Sequence, residues 1–444
     1  MVRASRENDG RDDGWLHAGT RLSSGRVNGT RTTLVDSHNF RPSFAYMAND
    51  IVIVGAGPVG LCVARSLSGL GLRVTLIEQQ PLNEISDPKF DGREIALTQK
   101  SVRFMQQLGL WNLIDADARS PLRRAKVFNG SSLSALEIGH ELAGHSELGW
   151  LVSNQLIRKA AYDAVHRSIA ENHDLTLLTS GKVSSVKSDN VSASVTLESG
   201  KTLSASLIIA ADSRFSATRK MMGISADMRD FGKSMLVCRM THEQPHQYTA
   251  WEWFGYEQTL ALLPMNPDQS TNAHRSSVVL TLPACEANEL ASLDPNEFGA
   301  NLEQRFARRL GAMKLVSTRH LYPLVSVYPA RFVGKRFAAV GDAAVGMHPV
   351  TAHGFNFGLA SVETLCKEIV AAHRNGFDVG AESVLSRYEN CHRRATRPLY
   401  LATRLVTDIY TNSSVPAKLA RNIMLRAASF ATPFRRAIAA SLTG

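Results

Sequence analysis

The stretch Ile51-Val-Ile-Val-Gly55-Ala-Gly57-Pro-Val-Gly60 decides the fold. Four apolar residues read as a buried strand, and three glycines follow at the spacing of a dinucleotide-binding turn. Gly55 permits the tight exit from the strand. Gly57 lets the backbone approach a pyrophosphate, and Gly60 lets the next helix pack close. The helix offers free N–H groups and the positive end of its dipole to the phosphates. A second strand, Leu72-Arg-Val-Thr-Leu-Ile-Glu78, ends on a carboxylate about 20 residues further on, where it can bind ribose hydroxyls. A bare Gly-x-Gly-x-x-Gly says little. One bracketed by a strand, a helix and a second strand ending in Glu predicts a bound dinucleotide.

Two later segments repeat the design. Leu207-Ile-Ile-Ala-Ala-Asp212 is an apolar strand ending in a carboxylate, followed by Ser213, Arg214, Ser216 and Arg219. Phe337-Ala-Ala-Val-Gly-Asp342 is another. Taken singly, each Asp reads as a helix cap or the partner of an Arg, because a buried carboxylate is costly unless paired. Taken with the glycine turn, the three strand ends imply one extended ligand crossing the carboxyl edge of a sheet. After Asp342, Gly354 and Gly358 flank Asn356 and a helical pattern continues through Leu365 and Ile369. This second helix start is suited to close approach, and it can face negative charge building on a reduced ring system.

A chain of 444 residues with 44% apolar and 20% charged residues is globular and long enough for two or three domains. No apolar run approaches the roughly 18 residues of a membrane span. Five scattered cysteines and fourteen histidines show no metal-ligand spacing, so no metal is expected and the thiols read as reduced in a cytoplasmic setting. Residues 1–46 are polar and lack apolar periodicity or a signal-peptide core, so disorder is expected; either Met47 is the working start and the extension is dispensable or a mis-called start, or the extension is real and disordered. The net charge of +10 is concentrated at the end: nine Lys or Arg stand against one Asp from Arg393 onward. Nothing in the pattern points to nucleic acid.

In this order and at these separations, the three motifs resemble the class A FAD-dependent aromatic monooxygenases of the para-hydroxybenzoate hydroxylase fold. The resemblance spans Met47 to about Arg397. Asp91-Gly-Arg93-Glu-Ile-Ala-Leu97, Ser101, Leu108-Gly-Leu-Trp111, Val152-Ser-Asn154, Glu252-Trp-Phe254-Gly255 and Leu260-Ala-Leu-Leu-Pro264 are most similar to the ubiquinone-biosynthesis hydroxylases, the UbiH, UbiF and UbiM-like group. The resemblance implies an α/β fold. A Rossmann-like FAD-binding domain is interleaved with a substrate-binding β-sheet domain, and helices close the C-terminus. The implied boundaries are 47–220 with 325–375 for FAD and 221–324 for the sheet. Part of 84–150 contributes to the substrate site, and 376–444 forms a basic helical region. It implies FAD held by Gly55, Gly57, Gly60, Glu78, Arg93, Asn154, Asp212 and Asp342, with Pro349, Gly354 and Asn356 at the ring end.

The implied reaction is hydroxylation of a polyprenylated phenol or quinol by a flavin C4a-hydroperoxide, with NADH or NADPH as reductant and O2 as co-substrate. FAD carries the hard step and the protein orients and shields. One glycine fingerprint leaves no second Rossmann domain for a nicotinamide, and an electron-transfer partner stays open as reductant. The competing readings are a hydroxylase of a small soluble aromatic and a non-catalytic FAD-bound scaffold. Two departures stand out: Ser213 replaces the usual Gly after the middle carboxylate, and Thr351-Ala-His353-Gly354 replaces Ala-Gly-Gln-Gly. The second associates the chain with the UbiM-like branch.

His348 and His353 are the histidines expected beside the flavin, and His353 is the candidate catalytic residue. It reads either as an acid–base group or as a loop residue that sets backbone geometry. Trp251 and Trp253 read as core in preference to a substrate wall. On a helical wheel, Leu419, Ile423, Met424, Ala427 and Phe430 share one arc, opposite Lys418, Arg421, Asn422 and Arg426. Such a helix either docks on an anionic membrane surface or acidic partner, or packs on the FAD domain. The expected location is cytoplasmic, with peripheral contact at the inner face of the cytoplasmic membrane and with other ubiquinone-biosynthesis proteins.

Overall fold

The structure is a computed structural model, and it describes residues 49–130, 135–255, 258–347 and 354–411. The elements that build the site begin with β1 (Ile51–Val54), α1 (Pro58–Leu67), β2 (Val74–Ile77), β3 (Glu94–Thr98) and β4 (Arg124–Asn129). They continue with β5 (Leu207–Ala210), β6 (Ala226–His242), β7 (Thr249–Phe254), β8 (Thr259–Met265) and β9 (His274–Pro283). The last are β10 (His320–Pro329), β11 (Phe337–Ala339), α2 (Gly354–Arg374) and α3 (Glu382–Thr411).

Continuous apolar runs make strands that must be covered on both faces, which is the signature of a parallel sheet. β1, β2, β5 and β11 are buried throughout. They lie in a six-stranded sheet ordered Val333–Gly334, β11, β5, β1, β2, Leu175–Leu178. β1 runs parallel to β2 and β5, and β5 runs parallel to β11. Parallel strands end at one edge, so Gly55, Glu78, Asp212 and Asp342 emerge together. Over this sheet, helix α1 packs against both the helix Asn154–Glu171 and α2.

A second, eight-stranded sheet runs in the order Met313–Leu315, β6, β9, β8, β7, β4, Ala135–Gly139, with β10 also paired to β6. Its strands alternate in the period of two. On one face Leu236, Cys238, Met240, Leu260, Leu262, Val278, Leu280, Trp253 and Phe128 join Phe298 and Leu302 in a core. The cross-strand register therefore puts Val237, Arg239, Glu252, Phe254, Ala261, Leu263, Arg275, Ser277 and Val279 on the other face.

That second face turns toward the nucleotide layer, because Arg239 on it reaches Glu94 of β3 and Tyr322 reaches the Asp91 carbonyl. The tryptophans sit as expected for core. Trp253 is buried and donates to the Gly130 carbonyl at 2.7 Å, and Trp251 meets Phe128 edge-on at 5.7 Å. The sheet also takes in residues outside 221–324, and the 84–150 segment read as contributing to the substrate side supplies two of its strands. β10 runs through Leu324 to Pro329, so the sheet does not end at Leu324. β4 and Ala135–Gly139 are strands of this sheet although they lie between nucleotide-layer elements. Both arise from pairing between distant segments, which local periodicity does not report. Residues 1–46, 412–444, His348, Pro349 and His353 lie outside the described residues.

Candidate flavin site

The glycine turn is built for backbone contact. Gly55 has φ +104°, and a Cβ there would lie 2.6 Å from the Ala211 carbonyl oxygen. A Cβ on Gly60 would lie 1.9 Å from the Gly55 oxygen, so helix α1 can seat only on glycine. Gly57 differs, since no atom stands within 4 Å of its absent Cβ. The turn is thus closed against protein at two glycines and open to a ligand at the third. Glu78 locks it: its carboxylate accepts the Ala56 amide at 2.7 Å and the Gln80 amide at 3.0 Å.

Val59, in the first turn of α1, fits a notch made of two more glycines. Cβ atoms on Gly341 and Gly358 would each come within 2.9 Å of its methyl groups. Ser361 adds a hydrogen bond to the Gly341 amide at 2.9 Å. The first and third motifs are therefore in direct contact. The Asn356 side chain then ties α2 to β3, accepting from the Thr98 amide at 3.0 Å and donating to the Ala96 carbonyl at 2.8 Å. Gly354, at the start of α2, has open space where a Cβ would be.

The middle and last carboxylates are each half engaged. Asp212 Oδ2 caps the short helix at Thr218, accepting from its amide at 3.1 Å and its hydroxyl at 3.0 Å. Its Oδ1 is buried with no partner among the described residues. Asp342 accepts from Arg214 at 3.2 Å and its side chain stays 41% exposed. The buried Arg219 donates to the Ala343 carbonyl at 2.8 Å, tying the second motif to the third.

Arg93 sits in a network that the motif hid. Its guanidinium binds Asp91 at 2.6 Å, Asn154 donates to the same carboxylate oxygen at 2.7 Å, and the Asn154 amide donates to the Arg93 carbonyl at 2.9 Å. Tyr322 donates to the Asp91 carbonyl at 2.6 Å and lies 5.3 Å below the guanidinium. Burial alone would raise the Asp91 carboxyl, but the Arg93 hydrogen bond and charge, with Asn154, outweigh it and hold the group below its ordinary value. Arg93 also feels the charge of Asp342, which places it along the edge that carries the strand ends.

Sequence reasoning selected Arg93 and Asn154 but not Asp91, Tyr322, Arg214 or Ser361. Asp91 had a local signal. It accepts the Arg93 amide at 3.1 Å in a turn around Gly92, whose φ is +75°, as an Asp-Gly pair invites. Tyr322 acts across a long sequence separation and had none; Arg214 was read beside Asp212, yet its partner is Asp342 of the third motif.

These residues fit a flavin dinucleotide. The open Gly57, the unpartnered Asp212 Oδ1, the accessible Asp342 and the open Gly354 line one edge of the parallel sheet. A separate, mostly apolar cavity of about 480 Å³ lies between Gln99–Gln107, α2 and α3. It shares Thr98 and Asn356 with the α2–β3 tie but takes no lining from the glycine turn, so it is distinct from the dinucleotide cleft.

Residues 48–400 match the family described as FAD binding domain. The chain is 45% identical to the ubiquinone hydroxylase UbiM of Neisseria meningitidis over 90% of its own length and 86% of the relative's. It is 32% identical to the ubiquinone hydroxylase UbiL of Rhodospirillum rubrum, covering 87% of each chain. In fold it resembles p-nitrophenol 4-monooxygenase PnpA of Pseudomonas putida, with TM-score 0.70 and 18% identity over 89% of this chain and 98% of that one. It also resembles PqsL of P. aeruginosa, with TM-score 0.69 and 18% identity over 82% and 97%. This chain belongs to the FAD-dependent monooxygenases, in the family of the ubiquinone-biosynthesis hydroxylases.

Proposed function

We propose that this protein is an FAD-dependent monooxygenase that hydroxylates the ring of a polyprenylated phenol in ubiquinone biosynthesis. The observation that carries the reading is 45% identity to a ubiquinone hydroxylase across 90% of the chain, on a scaffold whose strand ends fit a flavin dinucleotide. FAD, when bound, supplies the redox chemistry that activates O2, with NADH or NADPH as the source of electrons.

The chain's own residues have three tasks in this reading. Gly55, Gly57 and Gly60 bring backbone to the pyrophosphate, and Glu78 keeps that turn closed while offering its carboxylate edge to the ribose. Arg93, oriented by Asp91 and Asn154, reaches over the cofactor, and Asp212 and Asp342 hold its middle. Gly354 and Asn356 place the start of α2 at the ring end, where its dipole favours negative charge. The roles of Pro349 and His353 belong to the same proposal.

The decisive experiment incubates FAD-loaded protein with NADH or NADPH, a short-chain prenylated phenol and isotopically labelled dioxygen. The expected product gains one labelled oxygen on the ring. Flavin oxidation with unlabelled phenol recovered and only hydrogen peroxide formed would refute the assignment.

Among the described residues, no helix is long and apolar enough to cross a membrane. The isoprenoid chain of the substrate resides in lipid, so we place the enzyme peripherally at the inner face of the cytoplasmic membrane, drawn there by its cationic C-terminus. Flotation with anionic and neutral liposomes checks this. Equal recovery of the full chain and of a truncation at Asn412, at low and high salt, would count against it.

A further inference from the structure

We infer that Glu252 is a substrate-contacting residue whose protonated carboxyl donates a hydrogen bond to the ring oxygen of the phenol. This rests on the phenol-hydroxylase reading above.

Its position comes first. Glu252 stands on β7 opposite Val127 of β4 and Ala261 of β8, with Ala250 and Phe254 two residues to either side along the strand. Those neighbours share the sheet face that turns toward the nucleotide layer, while Trp251 and Trp253 point to the opposite core. Ala250 and Val127 pack in a small apolar cluster against which Ala96 of β3 also packs. The carbonyl of that same Ala96 receives the Asn356 amide from the first turn of α2. Glu252 therefore stands on the wall across from the strand that fixes the start of α2.

Its surroundings come second. No hydrogen bond or ion pair reaches the Glu252 side chain among the described residues. The side chain is half-buried, yet burial alone pushes its carboxyl up to about 8. The accessible part of the side chain lies on the face turned toward the nucleotide layer, among Val127, Ala261, Ala250 and Phe254. An unpartnered carboxyl in apolar surroundings destabilises a fold unless something completes it.

The charged groups nearby do not supply that partner. Arg124 and Lys126 of β4 project from the opposite face beside Glu137. On the same face, Arg239 is paired with Glu94, Arg275 lies beside Asp268, and Tyr322 serves Asp91. Raised in this way the carboxyl is a donor at neutral pH, and a phenol oxygen brought to this face is the acceptor it lacks.

The test uses FAD-loaded protein and a phenol bearing two isoprene units, with binding read from the perturbed flavin absorbance between pH 6 and 9.5. In the unaltered protein, affinity should fall as pH rises through about 8. The probe itself titrates near 10, outside that transition. Glu252→Gln keeps a donor and cannot ionise. It should bind within about threefold of the parent, and its affinity should not fall near pH 8. Glu252→Leu should bind about tenfold more weakly at pH 7. Both variants should retain FAD and melt no lower than the parent, since each removes an uncompensated acid. If Glu252→Leu holds FAD and binds the probe like the parent, or if the pH transition persists in Glu252→Gln, the inference is overturned. If FAD-loaded parent protein shows no phenol binding at all, the phenol-hydroxylase reading fails first and this one falls with it.

Discussion

Asn356 and Thr98, far apart in the sequence, are joined by a hydrogen bond of 3.0 Å in a buried setting, and the other end of the same amide holds the Ala96 carbonyl. One side chain thus sets the distance between α2 and β3. Asn356→Leu leaves a donor and an acceptor unmet, at about 1–3 kcal/mol for each group. Urea unfolding should show that loss, and FAD should dissociate more readily because the ring end of its site is no longer fixed. Unchanged stability in Asn356→Leu would show that the tie is dispensable.

The glycine turn separates folding from ligand binding. Gly60→Ala drives a methyl group against the Gly55 carbonyl, so it should lower the melting temperature and abolish FAD binding together. Gly57→Ala meets open space, so the melting temperature of the FAD-free protein should stay within a few degrees of the parent. Its FAD affinity should nonetheless drop at least about tenfold, equivalent to about 1.4 kcal/mol, because the methyl occupies the approach of the pyrophosphate. Isothermal titration with FAD and a thermal melt distinguish the two.

Asp342 makes a similar contrast. Its contact with Arg214 is half exposed on both sides, and such pairs contribute about 0–1 kcal/mol. Asp342→Ala should therefore leave the unfolding midpoint nearly unchanged while releasing FAD. A variant that remains yellow through gel filtration would remove Asp342 from the cofactor site.

Stability should fall on the acid side for a reason that burial supplies. His392, stacked on Tyr388 and 2% exposed, is lowered by burial from 6.5 to about 4. Burial likewise lowers His242 to about 4, beside His246 and His274. Between those values the unfolded chain takes up protons that the folded one refuses. The neutral-His contribution is complete above about 6.5 and is lost as pH falls toward 4. For His392 this amounts to on the order of 3 kcal/mol. Urea midpoints at pH 7 and pH 5 should differ in the parent, and His392→Leu should reduce the difference.

The carboxyl edge of the parallel sheet was legible in the sequence because each of its parts is local. A strand, a glycine turn and a terminal acid occupy consecutive residues, and Glu78, Asp212 and Asp342 all emerge where that reading puts them. What stayed hidden depends on pairing between segments far apart. β4 crosses into the second sheet, β10 runs past Leu324, and Tyr322 and Arg239 reach back to Asp91 and Glu94. Glu252 was quoted as part of a motif, but its face is fixed by β7 register against β4 and β8, and its lack of partners among the described residues exists only in three dimensions. Single-residue periodicity could assign Trp251 and Trp253 to a core. The same alternation then requires the residue between them to face the other way.

The seating of Val59 between Gly341 and Gly358 has a consequence for biosynthesis of the protein itself. The glycine turn leaves the ribosome early, yet the notch that receives its helix is translated about 300 residues later. A nascent chain lacking Gly358 carries the fingerprint without its backing. FAD loading is therefore expected late in synthesis, and retained yellow colour would report that two distant segments of the chain have met.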